Sequence, residues 1–357
     1  MSAAPSLEYP FGETPAPGTT LEVAPGVRWL RMPLPFKLDH INLWLLEDEL
    51  DGAPGWTIVD TGIGDAGTRA LWERIFEACL DMRPVRRIIV THYHPDHAGN
   101  AAWLTQRFGA ELWMTQAEYL TAHAVRESLA GYTTEAVLEV FRRNGLAEER
   151  LGGMAARGSN RYAQLVPEFP RSYRRILEGD LVRIGGRAWR AIVGHGHAPE
   201  HLTLYCEALG VAIAGDMLLS TISTNVSVWS IDPEGDPLRL FLESVARYRE
   251  LPAGTLVLPS HGRPFRGAHQ RVAQLEAHHE ARLAELEGAL AGGPKSAGEL
   301  LPVIFPRRLD VHETFFAMGE AIAHLHYLYY AGRIGRASGA DGVMRYAPRA
   351  GAARAAA

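Results

Sequence analysis

At 357 residues with 47% hydrophobic content, the chain carries enough apolar material for a large core and predicts one large domain followed by a smaller one. A formal net charge of −5, with 22% charged residues, supplies no global field toward nucleic acid or a membrane surface, so any polyanion binding would have to be local. Only two cysteines are present, Cys79 and Cys206, both in apolar surroundings, which argues against a disulfide framework and fits a reducing cytoplasm. Fifteen histidines, in contrast, ask for a chemical role.

The opening MSAAPSLEYPFGETPAPGTT has acidic residues, Pro and Gly where a signal peptide needs a cationic start and an apolar stretch, and is expected to be an extended lead-in strand or loose arm. No run approaches the roughly 18 apolar residues of a spanning helix, so a membrane location is not expected. From Leu21 to Asp60, LEVAPGVRWLRMP, INLWLLED and WTIVDTG alternate with turn signals and predict a β-meander. Residues 67–82 space Leu71, Ile75, Phe76 and Leu80 at helical intervals, and RRIIV returns to strand. A helix and a strand follow near 101–114. Residues 116–170 read as consecutive helices and are taken as an insertion packed over one end of the core.

Strands resume in LVRIGGRAWRAIVGHG, LTLYCEALGVAIAGD and TLVLPSHG. A long helix is predicted from about Arg271 to Leu290, with Val272, Leu275, His279 and Leu283 down one face. AGGPKSAG, residues 291–298, is the best linker candidate, giving domains at 1–292 and 293–357. The tail predicts a helix with Ala321, Leu325 and Leu328 on one side, a Gly-rich turn and the short strand VMRYA, and then a frayed Ala/Arg-rich end.

The densest chemical signal is THYHPDHAGN, residues 91–100, just after the apolar Ile88, Ile89 and Val90. In extended chain His92 and His94 project to the same side, so two imidazoles can meet one ion. Asp96 continues that parity, while Pro95 and a helix start swing His97 toward a different point, so the loop can serve two neighbouring metal positions. Imidazole with carboxylate suits Zn(II) and is acceptable to Fe or Mn. Further donors follow other strand ends: Asp60 after IV, His195, His197 and His201 after IVG, Asp216 after VAIAG, and His261 after TLVLPS. Strand ends are where α/β folds place their chemistry.

With those residues assembled, the chain resembles a metallo-β-lactamase-fold hydrolase of the glyoxalase II-like branch. The resemblance covers about residues 20–290 and rests on Thr91-His92-x-His94-x-Asp96-His97, Asp60-Thr61-Gly62, Gly196-His197, Gly215-Asp216 and Ser260-His261-Gly262. It implies an α/β fold, an αββα sandwich with a dinuclear site on one edge. It further implies that His92, His94 and His197 hold one metal, that Asp96, His97 and His261 hold the other, and that Asp216 bridges them. The family commonly has Pro-Gly-His-Thr where this chain has His195-Gly196-His197-Ala198. The register of Pro199-x-His201-Leu202 favours His197 as the ligand, with Asp60, His195 and His201 in supporting positions.

Two cations about 3.5–4 Å apart lower the pKa of a shared water and polarise a carbonyl or phosphoryl oxygen. The resemblance therefore implies hydrolysis, with Asp96 both binding metal and orienting or deprotonating the nucleophilic water. A small ester, thioester or lactone substrate is expected, with two divalent ions, zinc first and iron or manganese as alternatives. Asn225, Trp229 and Tyr162 are candidates to line the substrate pocket. The tail resembles the winged-helix-like domain appended to some superfamily members, including ribonucleases, which makes a metal-dependent nuclease the main alternative. From Lys295 onward there are eight Lys/Arg against five Asp/Glu, too weak an excess for a concentrated nucleic-acid face, so packing or homodimerisation is the expected role. A mono-iron sulfur dioxygenase is the further alternative. The basic cluster Arg83, Arg86 and Arg87 is read as a solvated edge.

Overall fold

The computed structural model describes residues 7–50, 52–156 and 161–349. The frayed end expected from residue 350 lies outside the described residues. In chain order the elements are β1 (Leu21–Ala24), β2 (Val27–Pro33), β3 (His40–Leu50), β4 (Ala53–Val59), α1 (Ala66–Cys79), β5 (Val85–Ile89), α2 (Pro95–Ala98), α3 (Ala101–Phe108), β6 (Glu111–Met114), α4 (Gln116–Arg126), α5 (Thr134–Arg143), α6 (Glu148–Ala155), α7 (Arg161–Leu165) and β7 (Arg174–Arg175). They continue as β8 (Leu181–Ile184), β9 (Arg187–Gly194), β10 (His201–Cys206), β11 (Val211–Gly215), α8 (Pro237–Ala246), β12 (Leu256–Pro259), β13 (Phe265–Arg266), α9 (Ala268–Leu290), α10 (Ala297–Ile304), α11 (Val311–Tyr330), β14 (Ile334–Ser338) and β15 (Met344–Pro348).

Two compact units result. One takes the chain up to Glu127, then Arg161–Thr224 and Ser244–Val272; the other takes α5 and α6, Asn225–Glu243 and the chain from Ala273 onward. The helices expected over 116–170 are present, shared between the two: α4 and α7 in the first, α5 and α6 in the second.

The first unit is built on two sheets, ordered β1-β2-β3-β4-β5-β6-β7 and β13-β12-β11-β10-β9-β8. The expected meander is β1 to β4, antiparallel throughout. The first sheet becomes parallel from β4 to β7, as does the second between β11 and β12. Period-two patterning explains how the first sheet is buried on both faces. Leu30, Met32, Leu43, Leu45, Ile58 and Ile88 face one way and join Trp72 and Ile75 of α1 and Leu104 of α3. Trp29, Trp44, Leu46, Val59 and Ile89 face the other and join Trp189, Leu202, Leu204, Ile213 and Leu258 of the second sheet. One core therefore lies between sheet and helices, the other between the sheets.

The lead-in segment is tied down at Glu8, which pairs with Arg266 of β13. The basic cluster departs from expectation at Arg87, which is buried rather than solvated. Its guanidinium pairs with the fully buried Asp48 at 2.8 Å and donates to the Arg183 carbonyl at 2.9 Å, while Asp48 also accepts from Thr57 Oγ1 and Gly185 N–H. The pair thus stitches β3 and β5 to β8 of the facing sheet.

In the second unit, Ser296 and Asp310 open α10 and α11 as reciprocal capping boxes with Glu299 and Glu313. The segment expected as a linker is bound, since Lys295 exchanges backbone hydrogen bonds with Tyr346 of β15. Leu275, His279 and Leu283 of α9 are buried as the helical spacing predicts, as are Ala321, Leu325 and Leu328 of α11. His279 Nδ1 lies 3.1 Å from His324 Nε2. Burial foremost, with the nearby charge of His324 and His278, depresses His279 to about 3; burial likewise takes His324 to about 4 despite its bond to the Glu320 carbonyl. Among the described residues no helix is long and apolar enough to cross a membrane.

Asp48→Ala leaves Arg87 buried without its counter-ion and should cost about 3–5 kcal/mol in urea unfolding, and a loss below about 1 kcal/mol would rule out the stitching role. The buried neutral histidines have folded pKa values below the ordinary 6.5, so the unfolded chain binds more protons and stability falls as pH drops from 6.5 toward 4. Replacing His279 with Leu should flatten that slope by about 1.4 kcal/mol per pH unit, measured by denaturant midpoints between about pH 7 and 4.5.

Candidate metal centre

The cluster forms where several strands of the two sheets end. Thr91 to His94 follow β5, His197 follows β9, Asp216 follows β11, and His261 follows β12. The Pro95 helix start has the effect its sequence suggests: α2 is a single turn with His94 at its N-cap, and it places Asp96 and His97 in a different donor group from His92 and His94, although the His97 ring lies close to that of His92.

Two groups of donors emerge. His92, His94, His197 and Asp216 offer atoms within 4.8 Å of one another, and so do Asp96, His97 and His261. In the first group His92 Nε2 is 2.9 Å from His94 Nδ1 and 3.2 Å from His197 Nε2. In the second, Asp96 Oδ2 is 3.4 Å from His261 Nε2 and 3.7 Å from His97 Nε2. Asp216 stands between them. One oxygen, Oδ2, is 3.5 Å from His197 Nε2; the other, Oδ1, is 3.5 Å from His97 Nε2 and 3.4 Å from His261 Nε2.

Surrounding hydrogen bonds set which ring nitrogen faces inward. Asp60 accepts from His97 Nδ1 at 2.8 Å and from the Thr91 N–H and hydroxyl, so the lone pair of His97 lies on Nε2. Because the Thr91 hydroxyl donates to Asp60, its oxygen accepts from His92 Nδ1 at 3.0 Å, leaving His92 Nε2 free to coordinate. His261 Nδ1 donates to the His40 carbonyl at 2.7 Å. Asp60 sits at φ +61°, a left-handed conformation unusual outside Gly, Asn and Asp, and buried strain of this kind collects at functional sites.

The electrostatics match a cation site. Burial first, and the neighbouring imidazoles second, push His92 well below its ordinary value and His94 to about 3, so both are neutral donors. At His97 and His261 burial also works downward, but carboxylates win: Asp60, Asp96 and Asp216 hold His97 well above its ordinary value, and Asp216 with Asp96 takes His261 to about 10. The carboxylates thus demand positive charge between these two rings. Among the described residues, His97 Nε2 and Asp216 Oδ1 are buried with no hydrogen-bond partner, inward-facing atoms suited to a metal ion.

Of the remaining sequence candidates, His201 is fully buried and its Nε2 accepts the Asp216 backbone N–H at 3.0 Å, bracing that residue. His195 has an exposed side chain bonded to the Pro199 carbonyl, outside both donor groups. The Tyr162 hydroxyl donates to the Tyr93 carbonyl at 2.6 Å, between His92 and His94. Asn225 and Trp229 belong to the second unit, where Asn225 bonds Ser227 and Glu320 and Trp229 packs against Phe315.

Sequence reasoning missed the braces of the His261 loop. Asn42, fully buried on β3, donates to the Pro259 carbonyl and pairs through its backbone N–H with Ser260. Arg31 donates to the Gly262 carbonyl at 2.6 Å, and His40 accepts the Gly262 N–H. Only a polar residue inside the apolar alternation INLWLL hinted at Asn42.

Fold and donors together define a metal-dependent hydrolase. Residues 37–261 match the Metallo-beta-lactamase superfamily, and residues 283–349 match the Metallo-beta-lactamase-like, C-terminal domain. This chain belongs to the metallo-beta-lactamase superfamily. It is similar to a solved beta-lactamase domain protein from Burkholderia ambifaria, at 52% identity over 96% of this chain and 98% of the other, with a TM-score of 0.90. A solved metallo-beta-lactamase family protein from Thermus thermophilus has 32% identity over 92% and 100% of the two chains, with a TM-score of 0.75. A Bacillus subtilis protein named Probable metallo-hydrolase YqjP is 24% identical, covering 84% of this chain and 91% of its own.

Gly215 supplies a local test. It lies at φ +52°, and a Cβ there would fall 2.5 Å from His201 Cε1 and Nε2. Gly215→Ala should therefore cost about 1–3 kcal/mol of crowding strain and displace the brace on Asp216. Metal retained after gel filtration should fall in parallel with the melting temperature; unchanged retention and melting would refute the bracing.

Proposed function

We propose that this hydrolase uses a dinuclear centre, held by His92, His94 and His197 on one side, Asp96, His97 and His261 on the other and Asp216 between, to cleave a small ester, thioester or lactone. The observation that carries the reading is the split of Asp216, one oxygen toward each group of histidines. The donor set of five imidazoles and two carboxylates suits zinc, and accepts iron or manganese. When bound, the ions would supply a hydroxide near neutral pH and polarise the substrate carbonyl.

The protein's own part is positioning and proton handling. His92 and His97 are presented as correctly oriented rings by Thr91 and Asp60. Asp96 has the more exposed of the two site carboxylates, at 16% against 10% for Asp216, so it is the one that can meet an incoming water, orient it and accept its proton. Tyr162, bonded to the peptide between His92 and His94, remains our candidate for substrate contact. The two unpaired thiols support a cytoplasmic setting.

The nuclease alternative finds less support. In the C-terminal segment Arg307, Arg333, Arg336 and Arg345 are each paired with a carboxylate, which neutralises the charge a phosphate track would need. We read α10, α11 and the β14–β15 hairpin as a winged-helix-like module serving packing or self-association. The sulfur dioxygenase reading needs one iron, and a second donor group weighs against it.

The test joins metal analysis of the purified chain to a panel of thioesters, esters, lactones, β-lactams, phosphodiesters and RNA. Two zinc-type ions per chain, loss of activity on chelation, preference for a carbonyl substrate, and a fall in kcat of about 10²–10⁴ for Asp96→Asn are expected. One iron with oxygen uptake, or phosphodiester turnover exceeding every carbonyl substrate, would replace this reading.

A further inference from the structure

The turn that opens α4 touches both histidine loops of the first donor group. Glu118 is fully buried, and its Oε2 accepts the Tyr93 N–H at 2.9 Å, on the residue between His92 and His94. Its other oxygen, Oε1, accepts the Glu200 N–H at 2.6 Å, on the loop that runs from His197 to His201. The same turn grips residue 200 twice more: Thr115 Oγ1 donates to the Glu200 carbonyl at 2.8 Å, and Glu200 Oε2 accepts the Ala117 N–H at 2.9 Å. The Tyr93 carbonyl is held in turn by the Tyr162 hydroxyl. One side chain therefore spans two loops that are far apart in sequence and that meet at His92 and His197, whose Nε2 atoms lie 3.2 Å apart.

We infer that Glu118 is a positioning residue of the metal centre, fixing the span between the His92–His94 loop and the His197 loop and so setting metal affinity at that end. The inference rests on the dinuclear reading above. Two acceptor oxygens at a fixed separation are what the task requires, because each loop turns a backbone N–H donor toward α4. Burial pushes the carboxyl up to about 8, against the pull of the two backbone N–H groups, which favour the carboxylate. No comparable bond runs from Glu118 to the Asp96, His97 and His261 group among the described residues, so the effect belongs to one end of the centre.

Glu118→Gln isolates the point, since the amide keeps the shape but turns one acceptor into a donor that confronts a backbone N–H. On the full chain, cobalt(II) titration followed by visible absorption, with zinc content by mass spectrometry, reads the two sites separately. The expected result is two equivalents in the parent, and in Glu118→Gln a loss of about 10–100-fold in affinity for one equivalent, with a changed cobalt spectrum and the other equivalent kept. A lowered melting temperature with both affinities and the spectrum unchanged would make Glu118 merely structural and overturn the inference. So would an equal loss at both sites. Should Glu118→Gln not fold, Thr115→Val deletes only the bond to the Glu200 carbonyl, and a several-fold loss confined to one equivalent supports the inference while no change overturns it. A parent chain that takes up no cobalt sinks the dinuclear reading itself, an outcome distinct from a failure of Glu118.

Discussion

Seven nitrogen and oxygen donors pressed into one buried volume are the constraint on which the rest of this structure depends. Imidazole nitrogens approach one another at 2.9 and 3.2 Å, and Asp216 and Asp96 lie among them with little exposure to water. Lone pairs and carboxylates so arranged repel unless positive charge sits between them. The raised values of His97 and His261 express the same demand in terms of protons. A cluster of this kind gains nothing for stability by itself, so its existence points to a function that needs it.

Holding such a cluster together requires a frame that does not relax. The two sheets provide it by burying the first sheet on both faces, so that the strand ends carrying these donors cannot slip by one residue without exchanging their inner and outer side chains. The loops themselves are then fixed by polar bonds rather than by packing. Asp60 orients His97 and Thr91; Asn42, Arg31 and His40 fix the loop around His261; His201 fixes Asp216. Each brace is itself buried or half-buried, where a hydrogen bond is directional and its loss is costly.

This division between ligand and brace explains what could be read from the chain alone. The meander, the strand ends and the donors in THYHPDHAGN were legible because alternation and short spacing are local properties, and a ligand must be one of a few residue types. That His197 rather than His195 joins the first donor group was legible only through the register of the following Pro199 and His201; the side chain of His195 is exposed and stands outside both groups. Arg87 misled because a basic cluster beside a strand gives no sign of the Asp48 that waits on another strand. His40 and Glu118 were invisible, and Asn42 only hinted at, for the same reason: their partners are backbone groups brought near by tertiary structure, and a backbone group leaves no mark in a sequence.

The helices between 116 and 170 show how far this reaches. Their periodicity marks them as helical, yet nothing in it distinguishes α4 and α7, which belong with the sheets, from α5 and α6, which belong with the C-terminal helices. The distinction lies in what the first turn of α4 and the hydroxyl of Tyr162 bond to, namely the peptide groups of Tyr93, between His92 and His94, and of Glu200, on the loop from His197 to His201. A segment that reads as an addition to the fold therefore supplies part of the geometry of the centre. A change that shifted α4 along its axis would act first on the peptides of Tyr93 and Glu200, between His92 and His94 and beyond His197, before it touched any donor atom.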